Sequence, residues 1–133
     1  MAAELSRRGY IASITLRNTR GVDILAANAD ATKSVGIQVK SNQGPPTEWI
    51  LSKKAETNVA KNLCYVFVAL NGLGRPVFHV VPSSAVAKFT SESHREWLSG
   101  TKRDGTKHKD TDIRVFRDRK NEYLDRWDLL GID

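Results

Sequence analysis

The sequence predicts an α/β fold, a small sandwich built around a mixed β-sheet, and three observations carry that prediction. Two short apolar runs, residues 22–27 and 35–41, flank the polar stretch Asn28 to Ser34 and read as a hairpin. Leu63 to Leu70 is almost wholly apolar, the pattern of a strand buried on both faces. Pro82-Ser83-Ser84 then opens a helical pattern, so strands alternate with helices rather than standing alone.

The remaining elements follow from local chemistry. Residues 2–8 look like the end of a helix closed by Gly9, and Tyr10 to Leu16 is a β-rich first strand. Asn18 to Gly21 turns the chain into the hairpin, and Gly44-Pro45-Pro46 breaks it afterwards. Trp49-Ile50-Leu51 fits a short extra strand, with the polar segment Ser52 to Asn62 after it as a candidate helix. Asn71 to Gly74 turns the chain again, and Pro76 to Val81 is the next strand. One helix is expected from Ser83 through Lys88 and a second piece over Ser91 to Leu98, ending at Gly100. Thr101 to Thr111 is a polar, basic loop, Ile113 to Phe116 a last strand, and Tyr123 to Ile132 an apolar-anchored tail. The chain, residues 1–133, shows no repeat or linker and reads as a single domain.

Composition narrows the class. No apolar run approaches the length of a membrane span, and the first residues lack a signal-peptide core. The single cysteine, Cys64, rules out a disulfide framework or a cysteine zinc site and reads as a buried strand residue. These features predict a cytoplasmic chain with no membrane partner. The net charge is +6, and the first 54 residues hold eight Lys or Arg against four Asp or Glu. The last thirteen residues are acidic, so the basic excess gathers around the hairpin, as contact with a polyanion requires.

The hairpin carries the chemistry. Side chains alternate along a strand, so Gln38 and Lys40 share one face while Ile37 and Val39 point to the other. If facing residues sum to 63, Leu25 opposes Gln38 and Asp23 opposes Lys40. That register gathers a carboxylate, an amide and an ammonium, a set able to hold a divalent cation beside a scissile phosphate. The same pair also suits a solvated cross-strand ion pair, worth under about 1 kcal/mol.

Gly21-Val22-Asp23-Ile24-Leu25 and Ile37-Gln38-Val39-Lys40, with the preceding Arg7 to Tyr10 helix end, resemble the PD-(D/E)XK nuclease superfamily. The likeness is greatest to its small Mrr-like and archaeal Holliday-junction-resolvase branches, and it covers about the first third of the chain. It implies a restriction-endonuclease-like core, a mixed central sheet flanked by helices, and hydrolysis of DNA phosphodiesters with Mg²⁺ or Mn²⁺. Carried over, Asp23 is the metal-binding aspartate, Gln38 falls on the second acidic position and Lys40 on the lysine. The backbone carbonyl of Val39 would be a further ligand, and Glu4 the acid of the first helix. Gln38 departs from the usual Asp or Glu and removes a negative charge, a form the Mrr-like branch shares. Superfamily nucleases often dimerise, so a second copy is an implied partner beside DNA.

Arg17, Arg20, Lys53 and Lys54 near the hairpin, and Lys102, Arg103, Lys107 and Lys109 in the later loop, are candidates for phosphate contacts. Trp49 reads as a core or lid residue close to any nucleic acid, and Trp97 and Trp127 as packing anchors. His79 alternates with apolar neighbours and is expected to be half-buried in a sheet, and the histidines show no metal-ligand spacing. A phosphate loop, a nucleophile elbow and an activated thiol are all missing from the sequence. Two other functions compete: a nucleic-acid-binding module that has lost efficient cleavage, and an interaction domain whose polar hairpin face is simply solvated.

Overall fold

The computed structural model describes residues 1–15 and 21–133. Helix α1 (Ala2–Arg7) is closed by Gly9, which takes φ +88°. The Gly9 N–H donates to the Ser6 carbonyl and the Tyr10 N–H to the Leu5 carbonyl, a pairing that caps the last turn. Strands β1 (Ile11–Ile14), β2 (Ile24–Ala27), β3 (Ser34–Asn42), β5 (Leu63–Ala69) and β6 (Val77–Pro82) form a five-stranded sheet in the order β1-β2-β3-β5-β6. Its β3–β5 pair is parallel and the other pairs are antiparallel, so the sheet is mixed. Strands β4 (Glu48–Ser52) and β7 (Ile113–Arg117) make a separate antiparallel pair, and α2 spans Ser83–Ser99.

The alternation of β5 builds two cores. Cys64, Val66 and Val68 face one layer with Leu5 of α1 and the C-terminal Trp127, Leu130 and Ile132. Tyr65, Phe67 and Ala69 face the other, with Trp49 and Leu51 of β4, Phe116 of β7 and Val86 of α2. The main sheet is therefore covered on both faces, and every residue of β5 is buried. Cys64 lies in that strand, as its sequence context suggests, and burial pushes its thiol up to about 11. No helix among the described residues is long and apolar enough to cross a membrane.

Several local expectations are corrected. The expected helix break at Phe89–Thr90 does not occur, and α2 runs on without interruption. Thr90 is buried and turns its hydroxyl back onto the carbonyls of Val86 and Ala87, so its polarity is satisfied inside the helix. The candidate helix over Ser52 to Asn62 contracts to a single 3₁₀ turn at Lys53–Glu56. His79 is fully buried at 1 % exposure rather than half-buried. Its Nδ1 lies 2.6 Å from Asp118 Oδ2, and the Asp118 carboxylate also accepts the backbone N–H groups of Glu122 and Tyr123. Trp49 is a core residue whose indole N–H donates to the Val68 carbonyl, and Trp127 is a packing anchor. Trp97 is not one: it lies in the last turn of α2 and stays 41 % exposed.

Candidate functional site on the β2–β3 hairpin

The hairpin forms where expected, but its register differs. Ile24 opposes Ile37 and Leu25 opposes Gly36, so facing residues sum to 61. The turn sets this register: Asn28 accepts the Lys33 N–H on its side-chain oxygen and donates its own N–H to the Lys33 carbonyl, closing the loop two residues earlier. A two-residue slip keeps every side chain on its predicted face. Leu25 therefore does not face Gln38, nor Asp23 Lys40, and no ion pair joins Asp23 to Lys40 among the described residues.

Asp23 is held by a different bond. The β2–β3 ladder ends at Ile24–Ile37, and beyond it the Asp23 N–H still donates to the Ile37 carbonyl at 2.8 Å. Its carboxylate then takes the place of a backbone acceptor: Oδ2 receives the Val39 N–H at 2.7 Å. The Asp23 carbonyl accepts the Thr15 N–H, which ties the residue to the end of β1 as well. One carboxylate is thereby fixed against β3 between Gln38 and Lys40, while the residue stays exposed.

Gln38 and Lys40 line an open cleft of about 670 Å³, together with Gly21, Lys54, Asn58 and Tyr65. Gln38 pairs with Tyr65 across the parallel β3–β5 ladder, which seats it beside the phenol. The Gln38 Oε1 atom is buried and has no hydrogen-bond partner among the described residues. Burial holds the Tyr65 phenol above its usual range, and a hydrogen bond with Asn58 opposes that shift. Gly21 adopts φ +66°, and a Cβ there would lie 2.7 Å from the Asn58 Nδ2. The cleft is thus shaped by Gly21, which the sequence marks at the turn into the hairpin, and by the Asn58 amide and Tyr65 phenol, which the sequence pattern did not single out. Their one signal is Gly21 itself, at a turn where a positive φ is needed.

The other candidates fall in separate places. Helix α1 packs on the sheet face that carries Ile37 and Val39, opposite to the face of Gln38 and Lys40. Glu4 accepts hydrogen bonds from Arg7 and Arg8, and the Arg7 contact, foremost, keeps its carboxyl below the usual range. Lys53 pairs with Asp112 at 3.4 Å, whereas Lys54 lines the cleft. Lys102 and Arg103 sit in a turn at the far end of α2, bridged by Thr101 and Lys107. Arg17 and Arg20 lie outside the described residues. Among the described residues, no group of three or more His, Cys, Asp or Glu side chains is placed to hold a metal ion.

Comparison with known proteins finds no family model that matches the chain, and no curated protein or solved structure with significant similarity.

Proposed function

We propose that this chain is a metal-dependent phosphodiesterase acting on DNA, with a restriction-endonuclease-like core and its working residues on the β2–β3 hairpin. The observation that carries the reading is the Asp23 carboxylate fixed on the Val39 N–H, between Gln38, whose side-chain oxygen has no partner among the described residues, and Lys40 in the wall of an open cleft. A hard divalent cation takes oxygen ligands and retains waters. The donor set of Asp23, the Gln38 amide oxygen and the Val39 carbonyl fits Mg²⁺ or Mn²⁺, and Glu4 stays with its arginines. Bound there, the cation would supply Lewis-acid polarisation of the phosphoryl group.

The chain's own residues do the rest. Lys40 presents an ammonium to the phosphoryl oxygens as charge builds on them and orients the attacking water. Lys54 lines the same cleft and offers a phosphate contact. A second copy would bring a second site to the other strand of a duplex. The buried single cysteine suits work in the cytoplasm.

A second reading has an observation of its own. Gln38 is neutral and Glu4 is engaged elsewhere, so the hairpin face presents Asp23 as its carboxylate. That is little charge for a tight metal site, and it favours a nucleic-acid-binding module with weak or absent cleavage. The deciding experiment measures cleavage of labelled duplex, branched and single-stranded DNA with Mg²⁺ or Mn²⁺. Wild type is run beside Asp23→Ala and Lys40→Ala. Metal-dependent cutting lost in both variants is expected. Binding without cutting in the wild type selects the second reading, and neither binding nor cutting removes both.

A further inference from the structure

The strongest unassigned feature is the groove at the end of α2. It holds about 330 Å³ and is lined by Trp97, Ile113 and Val115, with His94, Arg114 and Arg117 at its edges. Its floor is β7, which contributes Ile113, 58 % exposed, and Val115, and outside the groove Ile50 of β4 pairs with Val115 and is 71 % exposed. Trp97 stacks on His108 at 4.1 Å and on His94 at 5.6 Å between ring centres, and still leaves 41 % of its surface open. An exposed indole beside an apolar floor is a surface on which flat rings stack.

The adjoining loop supplies the opposite kind of chemistry. The Lys102 N–H donates to the Thr106 carbonyl and Gly105 takes φ +84°, so residues 101–107 form a tight, built turn. Its acid, Asp104, is exposed and accepts the Thr106 N–H and hydroxyl within the turn. Asp110 accepts from His94 at 2.8 Å, which pins the loop to α2. Lys102, Arg103, Lys107 and Lys109 are exposed, and none forms an ion pair among the described residues. The acids are satisfied internally and the cations face outward, an arrangement complementary to phosphates.

We propose that the groove beside Trp97 seats the unpaired bases of a single-stranded DNA segment, with the basic turn at 101–109 holding its phosphates. The groove shares no lining residue with the hairpin cleft, so it is a distinct site. The two adjoin across one strand pair, because Ser52 borders the cleft and its partner Ile113 borders the groove. This inference shares the nucleic acid with the proposed hydrolysis but does not depend on cleavage.

The test is anisotropy of a fluorescein-labelled oligothymidylate of about 12 nucleotides, titrated with wild type and variants over a range of salt. Trp97→Ala should weaken binding about tenfold, the scale of one lost base stack, and Trp97→Phe should restore most of it. A Lys102→Ala/Lys107→Ala double variant should weaken binding and flatten its salt dependence, since fewer counterions are released. Equal affinity of Trp97→Ala and wild type overturns the proposal, as does a wild type that does not bind the oligomer. Cleavage is read separately on the same samples. A protein that binds through Trp97 and cuts nothing keeps this site and loses the hydrolysis. One that cuts DNA while Trp97→Ala binds as wild type keeps the hydrolysis and loses the site.

Discussion

At the residue scale, Asp118 holds more of the molecule together than any residue of the hairpin. It is 4 % exposed, receives His79 at 2.6 Å, and accepts two backbone N–H groups from the segment that follows it. Its own N–H donates to the Thr47 carbonyl ahead of β4. Asp118→Ala should therefore leave several buried donors unpaired and destabilise the fold by about 3 kcal/mol or more, read as a fall in the urea midpoint. An unchanged midpoint would show that water replaces the carboxylate. Little of this was legible beforehand. His79 sits among apolar neighbours, which announces a sheet residue, but its partner lies 39 positions away and nothing local marks it. Asp23, Gln38 and Lys40 were legible because alternation alone assigns their faces. The bond that positions Asp23 was not, since a side chain replacing a ladder acceptor leaves no periodic trace.

At the scale of elements, strands declared themselves when both faces were buried and blurred when side chains closed the turns. β5 is apolar at every position because two cores meet on it. The hairpin's register moved by two because Asn28, Asp30 and Thr32 hydrogen-bond within the loop. A sum rule over apolar residues cannot count those bonds. The pairing of β4 with β7 was hidden for a related reason: its members are separated by the whole of β5, β6 and α2. The turn into β2 offers the cleanest test at this scale. Gly21→Ala must place a Cβ at φ +66° and 2.7 Å from the Asn58 amide. The variant should lose more than about 1 kcal/mol of stability. It should also displace Asn58 from Tyr65, seen as a rise in the Tyr65 titration midpoint or a shift of its NMR ring signals. A variant of wild-type stability with an unmoved Tyr65 would mean that the turn yields freely.

Taken whole, the molecule holds the Cys64 and Tyr10 protons, like those of Tyr65 and Tyr123, more tightly when folded than when unfolded. Burial takes the Cys64 thiol from 9.0 to about 11. Burial, with the Asp133 carboxylate 2.5 Å from its hydroxyl, takes the Tyr10 phenol from 10.0 to about 12. Both groups are raised, so their contribution is complete below pH 9 and drains away as pH climbs through 9 to 12. Urea midpoints should fall across that window, and Cys64→Ala should remove the first part of the fall. A flat profile in the wild type would contradict the burial of both groups.

The closing of the first core by the C-terminal segment has a mechanical side. Ile132 is 2 % exposed, Trp127 lies under the Arg8 guanidinium at 4.4 Å, and Asp133 meets Tyr10 and Lys33. There is no slack between the last residues and the sheet. A load applied at Asp133 is passed through Ile132 and Trp127 to the β5 face. Resistance to pulling from that side should then rise and fall with the stability of the whole domain, and yielding should be a single event.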